Sequence, residues 1–330
     1  MRILCATIIF TMFVCGFVLQ ADGEEVILIS TAEQFENIRK IATDEATFRL
    51  SADIELSPGW RPFVFKGKLD GAGYTISGLK DSLFLCIVDS VVCNLVIEGA
   101  NLHKNKRAPF VGIFAREILR STIENVRIVD SSIFVEIQLP DIVGVGGFAG
   151  ILEDSVIRNI AVLDSQIEVE VAESEMKKSF FATGGLVGIA SRTVAENCEA
   201  NVNISSRGGA TGGFIGKLTN SSRIESSRSF GVVQGKENVG GFVGIVSADG
   251  APNTITNSAV LSPAVIGDTN VRRFAGLLEH EGINGCHAYL GMAIIAEGQL
   301  LHVVPNAYGA DAADIRCFTP LHHCINTTDK

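Results

Sequence analysis

A short glycine-rich phrase recurs along the chain and constrains its fold more than any other feature. Its copies read PFVG (109–112), GGFAG (146–150), GGLVG (184–188), GGFIG (212–216), GGFVG (240–244) and RFAG (273–276). They close at six glycines spaced 38, 38, 28, 28 and 32 residues apart: Gly112, Gly150, Gly188, Gly216, Gly244 and Gly276. Repeats of this length indicate a solenoid or a propeller.

A second phrase follows each glycine phrase and carries a recurring asparagine. Its copies read IENV (123–126), IRNI (157–160), AENC (195–198), IESS (224–227), ITNS (255–258) and INGC (283–286), with VCNL (92–95) one repeat earlier. Asparagine tolerates the left-handed backbone region and so favours a turn at this position. Runs such as SIFVEI and SQIEVEV alternate in polarity, as half-buried strands do.

One repeat therefore reads as strand, turn, strand, turn, strand. The glycine pair permits positive φ at a sharp corner, the Phe or Leu after it points inward, and the closing glycine allows close approach of a neighbouring coil. A four-stranded propeller blade needs about 40 residues, more than the shorter repeats provide. We predict an all-β fold, a right-handed parallel β-solenoid over residues 48–287.

The N-terminal segment 1–21 has the pattern of a secretory signal peptide. One arginine precedes an apolar run that ends before Ala21, the small residue expected at the cleavage site. A membrane anchor is the alternative, but the run is shorter than the roughly 20 residues that span a bilayer. We expect a secreted protein without a membrane span in the mature chain.

Both ends of a solenoid need closure, because end coils expose a core and unpaired edges. Residues 22–47 are predicted to form an N-terminal cap whose amphipathic helix begins with a Ser30/Glu33 capping box. Phe35 and Ile38 lie on its apolar stripe. Trp60 is predicted to plug the first coil, and a sugar-stacking platform is the alternative. Residues 288–330 form the predicted C-terminal cap or tail.

Six cysteines remain after the signal segment, an even number that allows disulfides in a secreted chain. The candidates for local disulfides are Cys317 with Cys324 and Cys86 with Cys93. A zinc site with His322 and His323 is the alternative at the C-terminus, but its C-x4-H-H-C spacing is not that of a zinc finger. The other two cysteines, Cys198 and Cys286, share a repeat position with two intervening coils between them, beyond disulfide reach, and are predicted to be buried thiols.

Charge and composition exclude some partners. The chain has a net charge of −10 and lacks a cluster of Lys or Arg, which argues against nucleic acid as a partner.

N-x-S/T triplets make Asn203, Asn220 and Asn326 candidates for N-glycosylation in a eukaryotic source. The longer repeats carry extra residues around 138–145 and 170–183, which form either a binding face or solvated loops.

The sequence offers no convincing catalytic set. Asp130 and Asp164 fall at equivalent repeat positions and would lie side by side, as paired carboxylates of a polysaccharide-active enzyme do, but both precede Ser and suit a recurring turn. HEGIN (280–284) lacks the second histidine of a zinc-protease motif. No catalytic residue, cofactor or metal site is predicted.

The repeats over about residues 48–288 resemble the GLUG repeat family, named for its glycine, Leu or Phe, aliphatic, glycine phrase. The preceding module, LSADIELSPGW to FKGKLDGAGYTISGL, is similar to the segment before such repeats in bacterial surface proteins, including accessory regions of immunoglobulin A metallopeptidases. The sequence departs from the family at PFVG and RFAG, where the leading glycines are replaced. The resemblance implies a scaffold or adhesion module.

These observations lead to one expectation of function and two alternatives. We expect a non-enzymatic extracellular binding, adhesion or structural protein, whose partner is a glycan or a surface protein. The first alternative is a carbohydrate-active β-helix enzyme, a polysaccharide lyase or glycosidase. The second is a secreted effector or toxin component.

Overall fold

A computed structural model of the 330-residue chain describes residues 18–21, 24–104, 109–137, 144–171, 181–280, 282–306 and 309–315. Three predicted features lie outside these residues: most of the signal peptide, the central parts of both longer inserts, and the Cys317–Cys324 disulfide. Among the described residues, no helix is long and apolar enough to cross a membrane.

The N-terminal part combines short strands with one helix. Its elements are β1 (Val18–Ala21), β2 (Glu24–Ile29), α1 (Ala32–Ile41), β3 (Thr47–Leu50), β4 (Ile54–Glu55), β5 (Val64–Phe65), β6 (Lys68–Asp70) and β7 (Thr75–Ser77).

The repeats supply the strands that follow. In chain order they are β8 (Phe84–Val88), β9 (Val91–Glu98), β10 (Asn101–Lys104), β11 (Phe110–Gly112), β12 (Ala115–Leu119), β13 (Thr122–Val129), β14 (Ser132–Ile137), β15 (Gly144–Gly146), β16 (Ala149–Glu153), β17 (Val156–Arg158), β18 (Ala161–Val171), β19 (Ala182–Gly184), β20 (Val187–Ser191), β21 (Val194–Glu196), β22 (Glu199–Ser206), β23 (Ala210–Gly212), β24 (Ile215–Thr219), β25 (Arg223–Glu225), β26 (Arg228–Phe230), β27 (Val233–Gln234), β28 (Glu237–Gly240), β29 (Val243–Val246), β30 (Thr254–Thr256), β31 (Ala259–Val260), β32 (Ala264–Gly267), β33 (Thr269–Arg272), β34 (Ala275–Leu278) and β35 (Ile283–Asn284).

Four further strands follow the repeats: β36 (His287–Tyr289), β37 (Ala293–Ala296), β38 (Gln299–Leu300) and β39 (Ala313–Ile315). The parallel pairing continues into this part, because β37 pairs with β32 and β39 pairs with β36. Likewise β2 pairs with β3 at the other end. The sheet structure therefore extends beyond residues 48–287 in both directions.

The described strands form three sheets, and nearly all their pairings are parallel. A long sheet contains 25 strands, a second sheet has six (β11, β15, β19, β23, β28, β33), and a third has eight (β5, β8, β12, β16, β20, β24, β29, β34). Each strand pairs with its equivalent one repeat along the chain, as Ile123 of β13 does with Val92 and Ile157. The predicted all-β fold with stacked parallel strands is confirmed.

Phenylalanines from the glycine phrase fill the interior between the sheets. Phe148, Phe214, Phe242 and Phe274 are each fully buried, as is Leu186 at the same position of its repeat. Phe214 and Phe242 stack with ring centroids 4.6 Å apart, close to the spacing of paired strands. The prediction of an inward-facing residue at this position is correct.

The glycines of the phrase serve close backbone approach, and the prediction of positive φ for the glycine pair was wrong. None of the phrase glycines has a left-handed backbone. A Cβ placed on Gly216 would lie 2.6 Å from the carbonyl oxygen of Gly188 and 2.7 Å from the amide nitrogen of Thr183. The six-stranded and eight-stranded sheets thus meet backbone to backbone, which leaves no room for a side chain.

Gly112 belongs to a different column from the other five predicted closing glycines. It pairs with Gly146, the first glycine of its phrase, while Ala115 pairs with Ala149. Phe114, not Phe110, is therefore the buried aromatic of that coil, and it stacks on Phe148 at 4.7 Å.

Arg116 takes the closing position of that coil, which the sequence prediction assigned to Gly112. Its guanidinium binds the carboxylate of Asp81, with Nη2 at 3.1 Å from both oxygens. The other departure, RFAG, leaves the corner intact, since Arg272 pairs with Gly240 and Phe274 stacks on Phe242 at 4.8 Å.

Helix α1 begins one residue later than predicted. Thr31 is the N-cap, and its Oγ1 accepts a hydrogen bond from the amide nitrogen of Gln34 at 3.2 Å, while Gln34 Oε1 accepts from the amide of Ser30. Thr31 and Gln34 thus replace the predicted Ser30/Glu33 capping box. Phe35 is buried as predicted, with its ring 5.6 Å from that of Trp60.

Trp60 lies inside the protein and is not an exposed platform. It is 7% exposed, and its Nε1 donates to the carbonyl oxygen of Ser82 at 3.1 Å. The indole therefore packs as the predicted plug, with its polar atom satisfied.

Candidate functional site

The recurring asparagines form a ladder on one corner of the stacked coils. Asn94, Asn125 and Asn159 hold φ of 55°, 55° and 53°, the left-handed region predicted for this column. Nδ2 of Asn125 donates to Oδ1 of Asn94 at 3.0 Å, and Nδ2 of Asn159 donates to Oδ1 of Asn125 at 2.9 Å. The same side chain thus serves both the turn and the contact between coils.

A line of alternating charges runs directly before this corner, on the outer surface of the long sheet. Arg158 donates from Nη1 to Glu124 at 3.0 Å and from Nε to Glu196 at 2.8 Å. Arg223 continues the line, donating to the other oxygen of Glu196 at 2.6 Å. These four residues, Glu124, Arg158, Glu196 and Arg223, are called the charged ladder below.

The charged ladder holds the carboxylate of Glu196 ionised. The hydrogen bond from Arg158 lowers the pKa of Glu196 below its usual range, and the hydrogen bond from Arg223 adds to this effect. A carboxylate held this way is a poor proton donor near neutral pH. The ladder therefore provides fixed charge and contacts between coils, not acid–base chemistry.

Asp130 and Asp164, the carboxylates singled out from the sequence, lie on a second corner of the coils. Both have left-handed φ, 50° and 49°, and they follow the directly paired residues Val129 and Leu163. Adjacent coils therefore place them side by side as predicted, and the turn role inferred from the following Ser is also correct.

Glu199 lies between the two corners, and its surroundings favour a bound proton. Burial raises its pKa, Arg228 and Arg127 oppose this effect, and the charge of Asp164 adds to it. Arg228 is its direct partner on the next strand. Asn201, two residues later, donates from Nδ2 to Oδ1 of Asp164 at 3.0 Å, which fixes that carboxylate near Glu199.

Sequence reasoning missed Glu199 and the charged ladder, although a signal for both was present. Glu124, Arg158 and Glu196 each directly precede the recurring asparagine. Arg127 and Glu199 each lie two residues after it. Comparing the residues at the same position of successive repeats would have revealed both sets of outward-facing charged residues.

The N-glycosylation candidates differ in their surroundings. Asn203 is exposed, and its Oδ1 accepts from the amide of Val232 at 2.9 Å. Asn220 is half-buried with φ of 54°, and its Nδ2, the atom that a glycan would modify, donates to Oγ of Ser191 at 3.1 Å. Asn326 lies outside the described residues.

Four cysteines lie within the described residues, and all four are free thiols. The predicted Cys86–Cys93 disulfide is absent, because Cys86 lies in the eight-stranded sheet opposite Glu117 and Cys93 lies in the long sheet opposite Glu124. Cys198 and Cys286 are buried thiols, as predicted.

No group of three or more His, Cys, Asp or Glu in the described residues is arranged to hold a metal ion. His280 of HEGIN instead serves the structure, since its Nε2 accepts a hydrogen bond from the amide nitrogen of Asn253 at 3.2 Å.

Comparison with known proteins identifies similar folds. No protein-family model matches the chain, and no curated protein matches its sequence. A candidate immunoglobulin A1 protease from Bacteroides ovatus has a similar structure, with a TM-score of 0.58 and 17% identity over 89% of this chain and 84% of its own. An IgA1 protease has a TM-score of 0.60 and 19% identity over 79% of this chain and 21% of its own.

The comparison establishes the fold and corrects the expected function. Because both similar structures are named as IgA1 proteases, they contradict the prediction of a non-enzymatic binding, adhesion or structural protein. The prediction that the chain is not an enzyme is contradicted on the same ground. This chain spans about a fifth of the second protein, so that protein's activity as a whole belongs to a longer polypeptide.

Proposed function

We propose that this chain has a protease-type function directed at a polypeptide substrate of the immunoglobulin A class. The observation that carries the proposal is the shared fold of two structures named IgA1 protease, which extends over 89% and 79% of this chain. In this proposal the solenoid is right-handed, belongs to the GLUG type, is secreted, and is closed at its N-terminal end by α1.

The group proposed to move protons is the pair formed by Glu199 and Asp164. The raised pKa of Glu199 suits a general acid, while the hydrogen bond from Asn201 holds the side chain of Asp164 in place beside it. The neighbouring Arg127 and Arg228 can bind a developing negative charge on a peptide carbonyl. Two carboxyl groups with different surroundings can divide acid and base roles between them.

Incubation of the secreted chain with immunoglobulin A1 tests the proposal, with heavy-chain fragments followed by mass spectrometry. Immunoglobulin G is the control substrate. Fragments of immunoglobulin A1 alone are expected, and an intact heavy chain after prolonged incubation would overturn the protease-type function.

A matched pair of variants tests the assigned residues. Glu199→Gln should reduce cleavage at least about 100-fold, the range of a lost general acid. Glu196→Gln changes a carboxylate of the charged ladder three residues away and should leave cleavage near the wild-type rate. Equal rates for the two variants would reject Glu199 while leaving the protease-type function standing.

A further inference from the structure

Strand β2 lies at the N-terminal edge of the long sheet. On one side it pairs in parallel with β3, where Val26 faces Thr47 and Ile29 faces Leu50. On its other side it pairs in antiparallel orientation with β1, in a register that runs from Val18 opposite Ile27 to Ala21 opposite Glu24. The edge of the sheet is therefore covered by the residues that directly precede it.

Only the start of this edge carries charged residues, and the remainder lacks the features by which natural edge strands avoid pairing. The first two residues of β2, Glu24 and Glu25, are acidic, the last four, Val26–Ile29, are apolar, and the strand contains neither proline nor lysine. Proteins usually protect such an edge with charged residues, proline or a bulge, because its free N–H and C=O groups accept another strand. Apart from the two glutamates, the described protection of this edge is β1.

We infer that the β2 edge of the mature protein is a docking site for an extended polypeptide segment, bound as an antiparallel strand. Cleavage after Ala21, the position that the sequence predicts, removes the whole of β1 and leaves this side of β2 unpaired. Strand addition of this kind draws affinity from main-chain hydrogen bonds and specificity from alternate side chains.

The occupant is identified by the strand that covers the edge now. β1 shows that the edge accepts a short extended segment, four residues long, in antiparallel register. The positions of the segment opposite Val26 and Ile27 should be apolar, since both of these residues are only partly buried. The inference does not rest on the proposed protease-type function, because β2 and Glu199 lie in different coils.

A synthetic peptide with the sequence of residues 16–23, GFVLQADG, tests the inference against the secreted chain that starts at Asp22. Binding is measured by fluorescence anisotropy of the labelled peptide. Alternate residues of an antiparallel strand direct their N–H groups to the same neighbour. Two further peptides are therefore methylated at backbone nitrogen, one at Val18 and Gln20 and the other at Leu19 and Ala21.

One methylated peptide should lose about tenfold or more in affinity, as two lost hydrogen bonds would produce, while the other keeps the affinity of the unmodified peptide. The full chain that retains residues 1–21 is the second control, and it should bind the peptide about tenfold more weakly because its edge is occupied. Equal loss for both methylated peptides, or no binding of the unmodified one, would overturn the inference.

Light scattering of the chain from Asp22 gives an independent outcome. A monomer that binds the peptide supports the inference. A stable dimer from which the peptide is excluded would assign the edge to a second copy of the chain and overturn it. Cleavage of immunoglobulin A1 is measured separately, so failure of either proposal is distinguishable from failure of the other.

Discussion

Nδ2 of Asn125 donates a hydrogen bond to Oδ1 of Asn94 across 3.0 Å, and both residues hold a left-handed backbone with φ of 55°. One residue type thus meets two requirements at this corner. Asparagine enters the left-handed region more readily than other non-glycine residues, and its amide carries both the donor and the acceptor that a repeating ladder needs. Glycine would satisfy only the first requirement and alanine neither.

Substituting Asn125 should separate these two contributions. Asn125→Ala should lower the free energy of unfolding by about 2–3 kcal/mol, through backbone strain and two lost side-chain hydrogen bonds. Asn125→Gly removes the strain and should cost about 1 kcal/mol less than the alanine variant. Urea unfolding measures both, and equal losses for the two variants would contradict a role for the backbone conformation.

Gly216 should tolerate no side chain. The Cβ of Gly216→Ala would lie 2.6 Å from a carbonyl oxygen and 2.7 Å from an amide nitrogen, both part of paired strands that cannot move away. We expect a loss of at least about 3 kcal/mol of stability or failure to fold, by the cost of overpacking a rigid interior. Gly59→Ala is the control, because its Cβ would have only Ser57 Oγ at 4.0 Å. Thermal unfolding of the two variants should differ clearly, and similar midpoints would refute close approach as the reason for Gly216.

The sequence predicted the stacked parallel strands because the repeat is visible in one dimension. The register of the asparagine phrases, from Val92 to Ile283, matches the observed strand pairs. The role of the glycines could not be read in the same way. A glycine required by positive φ and one required by a neighbouring backbone look identical in sequence, and the neighbour of Gly216 is Gly188, a whole coil away.

The position of Gly112 shows a related limit. PFVG and GGFAG align by eye on their last glycine, but the buried ring decides the register, and that ring belongs to Phe114. The closing position can hold Arg116 because β11 is the first described strand of the six-stranded sheet, and Asp81 of the eight-stranded side compensates its guanidinium charge. Such long-range compensation has no local signal in the sequence.

Of the two candidate carboxyl groups, the position of Asp164 could be predicted from the sequence and the properties of Glu199 could not. The repeat position of Asp164 placed it beside Asp130 from the sequence alone. The raised pKa of Glu199 depends first on burial and then on charges from other coils, Arg228 among them. Both causes are properties of the folded protein. The sequence could therefore predict only that Glu199 belongs to a strand of alternating polarity.

Phe242 should contribute through its fit in a stack of rings. It lies between Phe214 and Phe274, with centroid distances of 4.6 and 4.8 Å, and is fully buried. Phe242→Ala should cost about 3–5 kcal/mol through loss of burial and the cavity that it leaves. Phe242→Leu is the matched control, because Leu186 occupies the equivalent position between Phe148 and Phe214.

The leucine variant should retain most of the stability, with a loss below about 1.5 kcal/mol, as expected for a hydrophobic exchange of similar volume. Denaturant unfolding of both variants provides the measurement. A loss for Phe242→Leu as large as that for Phe242→Ala would mean that ring stacking, not filled volume, stabilises this part of the core.

Cys198 should make the stability of the protein fall at alkaline pH. Burial raises the pKa of its thiol to about 12, so the folded state keeps the proton that the unfolded chain loses above about pH 8.5. The stability from this group is therefore fully present below about pH 8.5 and decreases as pH rises towards 12, by up to about 1.4 kcal/mol per pH unit. Unfolding measured at pH 7 and at pH 10 should show a smaller decrease for Cys198→Ala than for the wild type. Parallel losses in the two proteins would show that the thiol is not the titrating group.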